Sequence, residues 1–231
     1  MSRLETEAVR QRYERRKAIE ESNLYSPLNA EMWQSAQERQ RALLGLFAKL
    51  GLASFENTKL VEIGCGTGGN LLEFLRLGFQ PDNLIGIELL EDRVAKANKV
   101  LPVGMVQAGD AACADIPLAS QDVVFQSMVF TSLLDDVFQQ ELANEMWSWL
   151  KPGGGVLWYD FTYNNPNNPD VRGMPVRRVR KLFPHGKFIV RRVTLAPPIS
   201  RRVCRIHPAL YAVLNALPIL RTHVLCWIEK A

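Results

Sequence analysis

The pattern of hydrophobic and polar residues divides the chain near residue 59. Before that point, helical spacing runs over residues 2–21 and 30–50, and the second segment ends at Gly51, a residue typical of helix C-termini. The second segment is strongly amphipathic and is expected to pack on the core. The first is rich in Arg and Glu and has only a thin apolar stripe, formed by Leu4, Ala8, Tyr13 and Ile19. We expect it to fold over another part of the protein, as a lid does.

After residue 59, short β-rich runs alternate with helical segments. The predicted strands cover residues 59–63, 84–88, 103–107, 122–126 and 155–160. The helices between them are predicted over residues 69–77, 91–100 and 135–150. This alternation indicates right-handed βαβ units and a parallel sheet, so the pattern predicts a doubly wound α/β domain.

The alternation ends after the fifth strand. Two further strands are predicted over residues 187–195 and 222–229, joined by a helix over 199–217. Because a final strand can enter between earlier strands in the opposite direction, we predict a seven-stranded mixed sheet with an antiparallel C-terminal hairpin. Within a single domain over residues 1–231, the expected parts are a helical cap (1–52), a ligand-binding core (59–161) and a substrate-side segment (162–231).

Length and composition support one globular domain. The chain has 231 residues, of which 47% are hydrophobic and 23% charged, and no run of about 18 apolar residues is free of charge or proline. We therefore expect no membrane span. The first residues alternate acids and bases in place of an apolar signal, which favours a cytoplasmic location. The four cysteines show no metal-ligand spacing, so no metal is expected.

A glycine-rich turn follows the first predicted strand. The sequence Glu62-Ile63-Gly64-Cys65-Gly66-Thr67-Gly68-Gly69 joins this strand to a helix, and its glycines permit a tight turn and close approach of a ligand to the backbone. Taken alone, the spacing also matches the dinucleotide fingerprint G-x-G-x-x-G. The turn therefore predicts a nucleotide-like ligand without deciding which one.

Three acidic residues narrow the choice of ligand. Glu62 ends the strand beside the glycines, where a carboxylate would repel a pyrophosphate but accommodate a cation. Glu88 ends the second strand, at the position from which a carboxylate accepts hydrogen bonds from ribose hydroxyls. Asp110 follows the third strand and is placed to hold an adenine amino group. Together they indicate an adenosine that carries a positively charged tail.

Residues 59–161 resemble the class I S-adenosylmethionine-dependent methyltransferases, and more narrowly the small stand-alone bacterial members of the type 11-like group. The resemblance rests on the glycine turn, Glu88, Asp110, Gln126 after the fourth strand, and the Leu-Lys-Pro-Gly-Gly sequence of residues 150–154. It implies a Rossmann-like methyltransferase fold with S-adenosylmethionine as cofactor.

The resemblance also implies roles for individual residues. The first, second and third glycines of the turn are expected beside the methionine portion, Glu88 at the ribose, Asp110 with Ala111 at the adenine, and Gln126 near the sulfonium. The complete predicted cofactor-binding set is Glu62, Gly64, Cys65, Gly66, Thr67, Gly68, Glu88, Leu89, Arg93, Asp110, Ala111 and Gln126. Tyr25 is a further expected contact.

Methyl transfer to an alcohol requires alignment of the acceptor and removal of a proton. Asp160 is the preferred candidate base because it ends the fifth predicted strand. His207 and His223 are the alternatives, since imidazoles titrate in the useful range. Tyr159, Asn164 and Asn165 are expected to bind the substrate, because they lie at the end of that strand and in the loop that follows it.

Charge is distributed unevenly along the chain. Residues 171–205 contain eleven Arg or Lys and no Asp or Glu, so the net charge of +4 leaves the other 196 residues at −7. Arg side chains suit phosphate and carboxylate groups. We expect Arg201 and Arg202 to contact an anionic small-molecule or glycan acceptor, methylated at oxygen. A lipid-linked acceptor is a second possibility, because residues 209–220 form an apolar run too short to span a membrane.

Three other functions are weighed against this one. A nucleic-acid methyltransferase would suit the basic segment, but residues 126–129 are Gln-Ser-Met-Val and lack the Asn-Pro-Pro-aromatic motif of base amino-methyltransferases. A nicotinamide-dependent oxidoreductase would place Glu62 beside a pyrophosphate and leave Asp110 without a role. A non-catalytic cofactor-binding partner protein would retain the same glycine turn and is separated from an enzyme only by measurement of turnover.

Overall fold

The computed structural model describes residues 2–20, 26, 28–52, 54–166 and 168–231, and the side chains of the first helix from residue 4 to residue 16. Tyr25 lies outside the described residues. Eight α-helices are described: α1 (Ser2–Glu20), α2 (Ala30–Lys49), α3 (Gly69–Arg76), α4 (Glu91–Ala97), α5 (Asp136–Trp149), α6 (Val176–Leu182), α7 (Pro197–Ile206) and α8 (Ala209–Asn215). None of these helices combines the length and apolar character needed to span a bilayer.

Seven strands form one mixed sheet. They are β1 (Leu60–Ile63), β2 (Leu84–Glu88), β3 (Val106–Ala108), β4 (Gln121–Ser127), β5 (Leu150–Phe161), β6 (Lys187–Leu195) and β7 (Arg221–Glu229). Their order across the sheet is β3-β2-β1-β4-β5-β7-β6. The first five strands are parallel, and β7 enters between β5 and β6 antiparallel to both. The predicted seven-stranded α/β sheet with an antiparallel C-terminal hairpin is confirmed.

Several elements differ from the sequence prediction. Strand β5 begins at Leu150, five residues earlier than predicted, and α4 ends at Ala97, three residues earlier. Two further differences have local reasons. The third strand starts at Val106, three residues later than predicted, because residues 102–105 form a turn in which Val103 is fully exposed. The single helix predicted over 199–217 is two helices, α7 and α8. His207 between them is extended (φ −160°, ψ 130°), as expected for a residue that precedes a proline.

Apolar layers cover both faces of the sheet. On one face, α2 and α3 contribute buried side chains such as Leu46, Phe47 and Phe74. On the other face, α5 and α6 contribute Met146 and Val179. Helices α7 and α8 pack separately, through a small cluster formed by Leu195, Cys204 and Tyr211. The sheet is therefore buried on both faces, and its carboxyl edge is where a ligand can reach it.

Candidate active site

A cavity of about 610 Å³ opens at the carboxyl ends of β1, β2 and β4. Strand order reverses between β1 and β4, and open α/β sheets bind ligands at such a switch point. The volume lies within the range of small-molecule sites. The cavity wall includes most of the predicted cofactor set: Gly64, Cys65, Gly66, Thr67, Glu88, Leu89, Arg93, Asp110 and Ala111.

The glycine turn forms the floor of this cavity. Gly64 and Gly66 have positive φ values of 63° and 58°, which favour glycine. A Cβ on Gly64 would lie 2.6 Å from Val129 Cγ2, whereas a Cβ on Gly66 would meet no protein atom within 4 Å. Gly64 thus permits close packing of the turn on the β4 loop. Gly66 leaves open space in the cavity.

Glu88 holds the turn in place. Its Oε2 accepts a hydrogen bond from the Gly66 backbone N–H at 2.8 Å, and its Oε1 accepts one from Leu90 N–H at 2.9 Å. The carboxylate is 4% exposed and lines the cavity. Each oxygen has a second lone pair, so Glu88 can brace the backbone and still accept hydrogen bonds from a ribose diol.

Glu62 lies behind the turn and is fully buried. Asn70, which lines the cavity, donates from Nδ2 to Glu62 Oε1 at 2.6 Å. Among the described residues, Glu62 Oε2 has no hydrogen-bond partner. Burial raises the pKa of Glu62 to about 8. Glu62 does not itself line the cavity; its partner Asn70 does. Contact of Glu62 with a cationic ligand group stays a prediction.

Helix α1 covers the cavity, and its buried face is charged. Thr6, Val9, Tyr13 and Arg16 line the wall. Arg12 Nη1 pairs with Glu5 Oε1 at 2.8 Å and donates to the Ser132 carbonyl at 3.1 Å. The predicted apolar stripe was wrong in detail, since Leu4 is 78% exposed. Hydrophobic spacing missed much of this wall because Glu5 and Arg12 are buried beside Val9 on the docking face. The spacing of seven between Glu5 and Arg12, which places them on one helical face, was the available signal.

An aromatic and cationic stack stands at the cavity mouth. The Tyr13 ring lies between the Arg16 and Arg93 guanidinium groups, at 4.3 and 4.4 Å from its centroid. Asp110 lies on the same wall, where its Oδ1 accepts from Ala112 N–H at 3.0 Å. The stack joins α1 to α4 across the cavity.

Several predicted residues lie behind the wall. Gln126 is fully buried; its Oε1 accepts from Val129 N–H, and its Nε2 donates to the Tyr159 carbonyl. The Tyr159 hydroxyl contacts Thr194 Oγ1 at 2.9 Å. Neither side chain lines either of the two cavities, so nothing in the structure supports their predicted direct contact with ligands. Gly68 also lies outside the wall, since a Cβ there would lie 2.5 Å from Leu101 Cδ1.

The three candidate bases occupy different places. Asp160 is fully buried one residue behind the wall, where it accepts from Thr131 N–H at 3.3 Å, and burial raises its pKa to about 7. His223 is stacked on Tyr159, and burial lowers its pKa to about 4. His207 is exposed between α7 and α8. The structure therefore does not bring either histidine to the cavity.

The predicted substrate residues are also divided. Asn164 lines a second cavity, and its Oδ1 accepts from Gly173 N–H at 2.9 Å, whereas Asn165 is exposed beside it and lines neither cavity. Arg201 and Arg202 belong to α7, which packs against α2. Neither arginine lines either of the two cavities described, so nothing in the structure supports their predicted contact with the acceptor.

Comparison with known proteins identifies this arrangement. Residues 60–154 match the family described as methyltransferase domain, over the strands that build the cavity floor. Residues 60–154 form a methyltransferase domain, and the sheet has the fold of S-adenosylmethionine-dependent methyltransferases. The cofactor of this domain is S-adenosylmethionine, and its reaction is transfer of the methyl group to an acceptor. No curated protein matches the chain.

Solved structures share the fold of this methyltransferase. An S-adenosylmethionine-dependent methyltransferase from Mesorhizobium loti has a TM-score of 0.57 at 15% identity, covering 81% of this chain and 98% of its own. An S-adenosylmethionine-dependent methyltransferase from Archaeoglobus fulgidus has a TM-score of 0.58 at 15% identity, and the match covers 84% of this chain and 96% of that protein. The third structure is phosphoethanolamine N-methyltransferase 2 of Haemonchus contortus in complex with phosphomonomethylethanolamine and S-adenosylhomocysteine. Its TM-score is 0.58 at 16% identity, and the match covers 83% of this chain and 53% of that protein. At these identities the likeness concerns the fold.

Proposed function

We propose that this methyltransferase acts on the hydroxyl oxygen of a small anionic acceptor held in the main cavity. The observation that carries the proposal is the closed wall that α1 adds to the cofactor cavity through Thr6, Val9, Tyr13 and Arg16. A covered cavity of about 610 Å³ suits a small molecule or sugar.

The residues that would hold S-adenosylmethionine are those of the floor. Glu88 and Asp110 offer carboxylate acceptors to hydroxyl and amino groups, and Asn70 with Glu62 offers a negative partner to the cationic methionine end. The bound cofactor supplies a methyl group attached to a positively charged sulfur. The protein aligns the acceptor, and α1 excludes water from the cavity.

We propose that Asp160 receives the proton of the acceptor hydroxyl. Its pKa of about 7 suits a general base at neutral pH. Thr131 lines the cavity, and both its backbone N–H and its side chain are hydrogen-bonded to Asp160. The Thr131 hydroxyl also donates to the Met128 carbonyl at 3.2 Å. In this scheme the hydroxyl accepts the proton of the acceptor and turns its own proton from the Met128 carbonyl to Asp160, while the acceptor oxygen takes the methyl group.

The proposal is tested by measuring S-adenosylhomocysteine formation with a panel of sugar phosphates, sugar acids and their neutral counterparts. We expect turnover with an anionic member and at least tenfold less with its neutral counterpart. With that acceptor, Asp160→Asn should lower kcat by about 10²-fold or more and remove its rise between pH 6 and 8. Cofactor binding without turnover on any acceptor would instead favour the non-catalytic partner protein.

A lipid-linked acceptor is a second candidate, favoured by an apolar surface near the same edge of the sheet. Ile206 is 78% exposed, Val213 62% and Ile219 82%. The segment that carries them joins the end of β6 to the start of β7, which pairs with the carboxyl end of β5. Sedimentation with phosphatidylglycerol vesicles tests this candidate. Ile206→Ser with Ile219→Ser should abolish binding, and no binding by the unmodified chain would exclude it.

A further inference from the structure

A second cavity of about 450 Å³ lies beside the main one, and its wall is strongly basic. It is formed by the loop after β5 and by α6. The lining residues are Thr162, Tyr163, Asn164, Arg172, Gly173, Pro175, Arg177, Arg178 and Lys181. Four of the nine are cations, and no acidic residue lines the cavity.

One carboxylate outside the wall balances part of this charge. Asp136 pairs with Arg178 and, at 2.5 Å, with Arg172 Nη2. The hydrogen bond from Arg178 and the weaker effect of Arg172 hold the pKa of Asp136 below its ordinary value. Within the part of the chain that the structure describes, no carboxylate lies within 4 Å of Arg177 or Lys181. The cavity therefore keeps a local charge of about +3, which favours an anion.

Part of the basic wall is fixed in position. Arg178 donates from Nε and Nη2 to Gln139 Oε1 at 3.0 and 2.8 Å, and Gln139 is itself fully buried. Arg172 Nε is buried and has no hydrogen-bond partner among the described residues. A buried guanidinium donor without a partner carries a cost that an anionic oxygen would relieve. Arg172 and Arg178 thus resemble a prepared anion site more than a mobile surface charge.

A wall one residue thick separates the two cavities. Phe161 lines the main cavity and its neighbour Thr162 lines the second; Val171 and Arg172 divide in the same way. Arg172 N–H donates to the carbonyl of Thr131, which lines the main cavity, at 2.8 Å. The lining residues of the two cavities therefore adjoin, and an acceptor that occupies both must reach over this wall from one cavity to the other.

We infer that the second cavity is a binding site for the phosphate group of the acceptor. Arginine forks match phosphate oxygens, and a doubly charged phosphate monoester complements a net charge of about +3 better than a single carboxylate does. The inference rests on the proposed function for the identity of the whole acceptor. Binding of the phosphate group itself can be measured alone.

The experiment measures binding of inorganic phosphate to the full chain by calorimetry at constant ionic strength. The variant is Arg177→Gln with Lys181→Gln, which removes two exposed cations from the wall and no hydrogen bond of the described structure. The matched control is Arg201→Gln with Arg202→Gln, which makes the same change of charge on α7, away from both cavities. Acetate serves as the singly charged probe.

We expect saturable phosphate binding to the unmodified chain, at least tenfold weaker binding to the Arg177 and Lys181 variant, and a change below twofold in the control. Acetate should bind at least tenfold more weakly than phosphate. Equal losses in both variants would show a response to overall charge and overturn the inference, as would no saturable binding by the unmodified chain. The affinity for S-adenosylhomocysteine, measured in parallel, should be the same in both variants as in the unmodified chain. If the unmodified chain does not bind S-adenosylhomocysteine, that result counts against the proposed function and not against the phosphate site.

Discussion

The Thr6 hydroxyl donates a hydrogen bond to Asp110 Oδ2 at 2.5 Å. This contact joins the first turns of α1 to the loop after β3, 104 residues later in the chain, at the adenine end of the predicted cofactor site. On the other side of the helix, the Glu5 and Arg12 pair contacts the loop after β4. Helix α1 is thus attached to both sides of the cavity that it covers.

The buried Glu5 and Arg12 pair is predicted to control how tightly α1 closes. Glu5→Gln leaves the Arg12 guanidinium buried without its carboxylate, at a cost of about 1.5 to 3 kcal/mol for a charged hydrogen bond. We expect faster hydrogen exchange at Leu134 N–H, which Glu5 accepts at 2.7 Å, and faster release of S-adenosylhomocysteine. Exchange mass spectrometry and stopped-flow kinetics measure the two effects.

The matched control for that variant is Glu7→Gln. Glu7 lies on the exposed face of the same helix and accepts only from Gln11 among the bonds described. Its replacement should leave both rates within about twofold, as is typical of surface positions. If Glu5→Gln and Glu7→Gln release S-adenosylhomocysteine equally fast, the net charge of α1 sets the release rate, and the predicted role of the buried Glu5 and Arg12 pair is wrong.

Glu88 is predicted to contribute to cofactor affinity in two ways, through the ribose and through the glycine turn. Glu88→Ala should weaken S-adenosylhomocysteine binding by roughly 1 to 3 kcal/mol, because it removes an acceptor from the ligand and from Gly66 N–H. Glu91→Ala, at an exposed position of α4, is the control. Calorimetry that finds unchanged affinity in the Glu88 variant would refute the assignment.

Glu62 is predicted to lose a proton when the ligand binds. Its pKa of about 8 in the free protein keeps it largely protonated at pH 7, whereas a bound ammonium group favours the ionised form. Affinity for S-adenosylhomocysteine should therefore rise between pH 6 and 7.5. Calorimetry in two buffers of different ionisation enthalpy should detect proton release at pH 7. Glu62→Gln should abolish both effects, and their persistence would exclude Glu62 as the source.

Asp160 is predicted to make the protein less stable as pH rises. Its ordinary pKa of 3.8 is raised to about 7 by burial, so between these values the folded state holds a proton that the unfolded state has lost. Stability should fall from about pH 4 to pH 7 and then level off, by about 1.4 kcal/mol per pH unit at most. Asp160→Asn should remove this slope in urea titrations. Glu62 and His223 titrate both in the unmodified chain and in the Asp160→Asn variant. The difference in unfolding free energy between these two proteins at each pH therefore reports on Asp160 alone.

The order of elements along the chain was predictable because it depends on local patterns. The alternation of β-rich and helical runs gave β2 and β6 with correct bounds. The spacing of Glu88 and Asp110 after their strands placed both on the cavity wall, since carboxyl ends of parallel strands meet at one edge. For the same reason, the glycine turn was found from its sequence alone.

Other site features depend on contacts between distant segments. Whether Asp160, Tyr159 or Gln126 faces a cavity depends on which segments cover the strand ends. The 129–132 segment is hydrogen-bonded to Gln126 and Asp160, and Tyr159 is packed against Thr194 and His223. Arg201 and Arg202 were expected at the acceptor because their charge was visible in the sequence, but α7 packs on α2. Arg172, Arg177 and Lys181 have the same charge and line a cavity.

The sequence by itself determined the α/β sheet, the glycine turn and the acids at the carboxyl ends of β1, β2 and β3, because short-range spacing and strand direction are sufficient to place them. Only the tertiary structure decided that a charged face of α1 closes the site and which arginines surround a cavity. The physical reason is that burial of a charge depends on its partner: Glu5 and Arg12 are buried because they pair with each other and with the loop at Ser132 and Leu134. The pattern of hydrophobic positions along the chain does not predict such a buried ion pair.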